Sequence, residues 1–253
     1  MKNFFIFNGK DSRDFDIQLG EYPPIVKPRE RIEPVTVPGR SGTLHLKEGE
    51  YIYDSYVKPF NIVALDESRI DEIKDWLQGS GELIIGNELD WIYDAYIFEQ
   101  LEFTRFFRGW HRASLNIEVQ SFKKSKNVIK KELEWLVDNV VTSNSDLPLP
   151  FKINLYEPQG AVFTLLINGL KWRTAISGGM EPLGTPYFVC FDGGKGEVSY
   201  IYDDDPENKQ LIATKSFAEK LPLYLNKGEN IVTLASPSRG GLKAEIEYRE
   251  LNL

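Results

Sequence analysis

Ala113-Ser114-Leu115-Asn116-Ile117-Glu118-Val119-Gln120-Ser121-Phe122 decides the fold class. Leu115, Ile117 and Val119 alternate with Asn116, Glu118 and Gln120. A period of two puts the apolar side chains on one face of a strand and the polar ones on the other. Working back along the chain, Leu101 to Phe107, Trp91 to Phe98 and Leu83-Ile84-Ile85 read as further strands. The turn Arg105-Phe106-Phe107-Arg108-Gly109-Trp110-His111-Arg112 is rich in aromatic and basic side chains. One helix interrupts them. Asp66 is its expected cap, and Leu65 and Ile70 have the spacing of a hydrophobic staple. Ile70, Ile73 and Leu77 form one apolar face, Glu67, Asp71 and Glu72 suit the N-terminal dipole, and Gly79-Ser80-Gly81 is expected to end it.

Nearer the N-terminus, Phe4 to Phe7 and Phe15 to Leu19 are short strands around an Asn8-Gly9 turn signal. A proline-rich extended segment follows, with Pro23, Pro24, Pro28 and Pro34, then Glu33 to Val37 and the tight turn Pro38 to Gly42. Proline lacks an N–H, so this segment is expected at an edge or on the surface. Thr43 to Tyr53 and Ser55 to Ala64 read as strands.

Downstream, residues 127–141 fit a helical face (Ile129, Leu133, Leu136, Val137, Val140) and a strand face (Ile129, Leu133, Trp135, Val137, Val141) equally well. Periodicity leaves both open. The polar, proline-punctuated run from Thr142 to Pro150 marks a seam, which divides the chain into domains 1–141 and 142–253. Beyond it, eight short strands run from Phe151–Tyr156 to Lys243–Leu251. They recur about every 10–12 residues, the spacing of a β-sandwich or jelly roll.

Composition agrees with a mainly β chain. Of 253 residues, 13% are aromatic and 42% hydrophobic, enough for a core. The net charge of −8 is spread along the chain, which lacks the clustered cations of a tight nucleic-acid binder. The one lysine cluster (Lys123, Lys124, Lys126, Lys130, Lys131) reads as a solvated linker face. No apolar run is long enough to cross a bilayer as a helix, and the N-terminal one is too short for a signal peptide, so synthesis in a cytoplasm is expected.

Catalytic chemistry finds little footing. A single cysteine, Cys190, excludes an intramolecular disulfide and a cysteine-rich zinc site, and it lies in an apolar run. The two histidines, His45 and His111, have no metal or triad spacing around them. Phe191 to Glu197 is glycine-rich with Lys195, but Gly196 follows the lysine where a phosphate loop needs Ser or Thr, so a hairpin turn is expected. Asp203 to Asn208 reads as a calcium-type acidic loop or a solvated one, without EF-hand spacing. Trp172, Tyr187, Tyr200 and Tyr202 fit either a sugar-stacking platform or a sandwich core. The expectation is a non-enzyme with no catalytic, cofactor-binding or metal-binding residues.

In their order, these segments resemble the distal tail proteins (Dit) of siphophages that infect Gram-positive bacteria. Four stretches carry the resemblance: Phe7 to Ile17, with its Asn-Gly turn and Ser-x-Asp-Phe; Glu33 to Leu44, with Val37-Pro38-Gly39-Arg40-Ser41-Gly42; Trp110 to Phe122, where Ser121 stands in place of the usual proline; and Leu225 to Ile231 with Ala244 to Leu251. The resemblance implies an N-terminal β-sandwich with one covering helix and an extended arm, plus a C-terminal galectin-like or jelly-roll sandwich. It implies a virion protein that forms a homo-hexameric ring at the tail tip. Its implied partners are the major tail (tube) protein, the tail-associated (Tal) protein and receptor-binding or adhesion proteins, with no membrane insertion. Within the arm, Pro23, Pro24, Pro28, Pro34, Val35 and Val37 are the expected contact segment between copies, since a ring needs head-to-tail contacts. The rival reading is a carbohydrate-binding adhesion protein that contacts the host cell wall.

Overall fold

The computed structural model describes residues 3–47, 49–156, 162–175, 188–201, 209–211, 217–218, 222–235 and 243–253. The chain divides into two compact units, one of residues 1–126 with 252–253, the other of residues 127–251. The seam expected after residue 141 thus lies earlier, for a reason that strand pairing supplies below.

The first unit contains β1 (Phe5–Phe7), β2 (Lys10–Asp11), β3 (Ile17–Leu19), β4 (Ile32–Val35), β5 (Leu44–Lys47), β6 (Tyr56–Ala64), β7 (Gly79–Ile85), β8 (Trp91–Ile97), β9 (Thr104–Phe107) and β10 (Trp110–Ser125). Its main sheet has the order β2-β1-β7-β8-β10-β6-β3, with β9 also on β10. β10 is the spine. It pairs with β6 from His111 to Val119 and with β8 from Glu118 onward, and its register shifts between Val119 and Lys123. Such a bulge bends a strand and raises its twist. The sheet curls until its ends meet, where Asn3 bridges Leu19. Phe5, Phe60, Leu83, Leu115 and Ile117 therefore share one core. The expected N-terminal sandwich takes the form of one curled sheet rather than two stacked ones.

One helix closes this core. Asp66 accepts from the Ser68 N–H at 2.9 Å and caps a 3-10 turn, Glu67–Arg69, that leads into α1 (Ile70–Trp76). Ile73 and Leu77 are buried as the spacing predicts, and Trp76 joins them. The Trp76 ring stacks between Phe5 and Phe15, and its Nε1 donates to the Phe7 carbonyl at 3.0 Å. The helix stops at Trp76 without the glycines. Gly79, at φ +76°, instead opens β7, because its backbone pairs with Ile97.

The second unit holds β11 (Ile129–Glu132), β12 (Asp138–Ser143), β13 (Phe151–Tyr156), β14 (Val162–Ile167), β15 (Leu170–Ala175), β16 (Phe188–Asp192), β17 (Glu197–Ile201), β18 (Lys209–Leu211), β19 (Phe217–Ala218), β20 (Gly228–Ala235) and β21 (Lys243–Tyr248). One sheet runs β11-β21-β13-β16-β17-β18 and the other β12-β20-β14-β15-β19. Both send side chains into a single apolar core, with Ile153, Phe191 and Ile246 from the first sheet and Val141, Leu165, Trp172 and Val232 from the second. This is a sandwich of two antiparallel sheets. Residues 127–141 hold strands rather than a helix, since β11 pairs with β21 and β12 with β20, joined by a turn. Those pairings move the seam: both strands lie inside the second unit.

Candidate functional site

Two ribbons leave the core of the first unit. The longer is the segment between β3 and β6. At its base Pro23 and Pro28 are buried, while Pro24 is exposed and Ile25 is 80% exposed. Backbone bonds then zip its two legs together: Arg31 N–H to the Ile52 carbonyl at 3.0 Å and Asp54 N–H to the Arg29 carbonyl at 2.9 Å. Ion pairs of Arg31 with Asp54 at 2.9 Å and Lys47 with Glu30 at 2.5 Å flank the zip. The ribbon ends in the β4–β5 hairpin, which pairs with no other strand among the described residues. Pro34 lies opposite His45 and Val35 opposite Leu44. Val37 sits in the exposed turn, where Gly39 and Gly42 adopt φ of +81° and +83°. The six arm residues thus divide into a base, formed by Pro23, Pro24 and Pro28, and an outer part that holds Pro34, Val35 and Val37. A two-stranded ribbon is marginal alone in water. Its exposed edges offer backbone donors and acceptors to another chain.

Beneath the base lies a polar group that the sequence reading missed. Lys58 is 1% exposed, on the β6 face that also buries Phe60 and Ile62. Its Nζ donates to the Pro24 carbonyl at 3.4 Å and lies 4.9 Å from the centre of the Tyr93 ring. Glu88 accepts from Lys123 Nζ and from the Tyr93 hydroxyl, both at 2.7 Å. Burial holds the Lys58 ammonium below its ordinary range, against the attraction of Glu88 and with the repulsion of Lys123. Burial also raises the Glu88 carboxyl, but the hydrogen bonds from Lys123 and Tyr93 outweigh it and the net shift is downward. Burial and the Glu88 charge push the Tyr56 hydroxyl up to about 12. The signal was in the alternation: Lys58 is in phase with Phe60, Ile62 and Ala64. The expected solvated lysine face is corrected for Lys123, which is nearly buried against Glu88, while Lys124 pairs with Asp94 at 2.5 Å and Lys126, Lys130 and Lys131 are exposed as expected.

Among the described residues, no three His, Cys, Asp or Glu side chains converge as metal ligands. His45 is exposed on β5, and His111 is buried on β10 with its Nδ1 unpartnered. Cys190 is half-buried in β16 and forms no disulfide. Asp192 to Gly196 is a hairpin turn, with the Lys195 N–H bonded to the Asp192 carboxylate at 3.0 Å. A groove of about 690 Å³ near β9 has Glu102, Thr104, Arg112 and Ser114 in its lining, but neither His nor Cys to serve as a base or nucleophile. Trp172 is fully buried, edge-on to Phe191 at 5.2 Å, and so is core rather than platform. Tyr187, Tyr202, the Tyr200 side chain and Asp203 to Asn208 lie outside the described residues.

Neither a family model nor a curated protein matches this sequence. Solved structures do. The crystal structure of phage SPP1 Dit, a paradigm of the hub adsorption apparatus in Gram-positive infecting phages, aligns over 100% of both chains with a TM-score of 0.72 at 12% identity. A chain of the phage P2 baseplate in its activated conformation with Ca aligns over 99% of this chain and 98% of that one, with a TM-score of 0.52 at 9% identity. No helix among the described residues is long and apolar enough to cross a membrane. Over its whole length, this mainly β chain has a Dit-like fold.

Proposed function

We propose that this chain is a structural virion protein of a phage tail tip. It forms a homo-hexameric ring at the distal end of the tail and links the tube to the baseplate and receptor-binding apparatus. The observation that carries this reading is the full-length match in fold to SPP1 Dit, which takes in both units and not one common sandwich alone. The arm supports it: a paired but exposed ribbon with unsatisfied edges is suited to a neighbouring copy. The partners follow from the same reading: the tube protein above, the tail-associated protein below, and adhesion proteins on the second unit. The protein acts by assembly and not by catalysis. The sugar-binding alternative loses Trp172 from its platform, because that ring has no exposed surface. Immunoelectron microscopy of virions with antibody to this chain tests the proposal. Label at the tail tip is expected; label confined to the head, or no label on virions at all, contradicts it.

A further inference from the structure

The second ribbon is the β9–β10 hairpin, closed by Arg108-Gly109 with Phe107 opposite Trp110. Thr104, Arg105, Phe106 and Phe107 are all exposed, so both faces of β9 lie in solvent. Phe106 is 50% exposed, Phe107 59% and Trp110 42%, and the last two rings lie 5.5 Å apart. Arg105, Arg108 and Arg112 lie on the same hairpin, and no carboxylate among the described residues lies within ion-pair range of any of the three. Among the described residues, β9 has no strand partner beyond β10. It carries no proline or lysine to blunt that edge. Aromatic and arginine side chains together are the residues that dominate protein interfaces. Residues 104–112 thus carry three arginines and no carboxylate, on a chain of net charge −8.

Charge therefore selects the occupant. The chain carries a matching surface of its own on the 3-10 turn and α1, where Asp66, Glu67, Asp71, Glu72 and Asp75 are exposed. Only Arg69 and Lys74 offset them, through Glu72 at 3.1 Å and Asp71 at 3.5 Å. We infer that the β9–β10 hairpin docks onto the acidic α1 face of a second copy of this chain. The two patches differ, so the contact is head-to-tail, the kind that closes a ring or extends a filament. Phe107 and Trp110 supply the apolar anchor, while the arginines set orientation and attraction. The inference rests on the ring proposed above and adds a contact distinct from the arm.

Sedimentation velocity and light scattering of the full chain test it. Trp110→Ala with Phe107→Ala should weaken self-association about tenfold or more. R105E with R108E should abolish it at low salt, and adding E72K and D75K to that same chain should restore it. Unchanged far-UV circular dichroism would show that these surface variants fold. Wild-type assembly with undiminished assembly of both hairpin variants overturns this inference and leaves the ring standing. Loss by R105E/R108E without rescue overturns α1 as the acceptor. A wild-type chain that stays monomeric at every concentration overturns the ring and this contact together. Binding of the wild-type hairpin to anionic vesicles or single-stranded DNA in place of a second copy also overturns it.

Discussion

The two units are built on opposite plans. The second is a sandwich whose two sheets bury one apolar core, and its largest fully buried side chain among the described residues, Trp172, has no exposed surface. The first curls a single sheet around its core, then spends much of its length on ribbons that leave it. It also buries Lys58 and nearly buries the Glu88–Lys123 pair beneath the base of the arm. A buried ion pair contributes little net stability against an apolar replacement, but losing one partner is costly. The contrast teaches where the demands lie. The second unit puts its residues into one core, whereas the first places charged groups beneath the base of its arm and leaves ribbon edges unpaired among the described residues.

The largest effect that tests this contrast is expected in the sandwich. Trp172→Ala should destabilise the second unit by about 3–5 kcal/mol through the cavity left between the sheets. Urea unfolding should show the loss in one transition while the assembled mass stays unchanged. A fall in mass would mean that the second unit also builds the ring.

Next is the ion pair of the first unit. Lys123→Met leaves Glu88 nearly buried without its cation and should cost roughly 3 kcal/mol. The acid side sharpens the point. The folded Glu88 carboxyl lies below its unfolded value, so its stabilisation is fully present above the ordinary carboxylate range and is lost as pH falls through the folded value. Glu88→Gln should therefore flatten the acid limb of a stability-against-pH curve. Lys58 works in the same direction but on the alkaline side: its folded ammonium is held below the unfolded one, so stability rises with pH across the interval between them. A Lys58→Met variant should lack that alkaline rise. An unaltered rise would mean that Lys58 is not its source.

The smallest effect concerns a turn. Asn168 and Gly169 close the β14–β15 hairpin at φ of +50° and +83°. Gly169→Ala puts a Cβ in the left-handed region and should cost about 1 kcal/mol. A thermal midpoint equal to wild type would show that the turn relaxes.

How much of this was legible beforehand depends on sequence distance. Local signals read well: the alternation of β10, the Asp66 cap and the proline-marked arm all appear in the structure. β11 and β12 did not, because the partners that make them strands lie far downstream. Asn139, for example, bonds the Val232 carbonyl 93 residues later. No window of periodicity contains that information. β15 was missed although the Asn168-Gly169 dipeptide before it is a strong hairpin signal. Ser55 to Ala64 reads as a strand, but nothing in that reading singles out Lys58, although its burial follows the phase of Phe60 and Ile62. The exposure of both faces of β9 has no local signature, since an exposed aromatic and a buried one look alike in one dimension.

The most direct test of the central claim, that the first unit is an assembly module, is the mass and symmetry of the purified full chain. Light scattering with electron microscopy should show six-fold rings at six times the 29.0 kDa of one copy. The same chain with Pro34, Val35 and Val37 each changed to Asp should keep its fold and lose the ring. A monomer at every concentration, or rings indifferent to those three substitutions, would contradict the account.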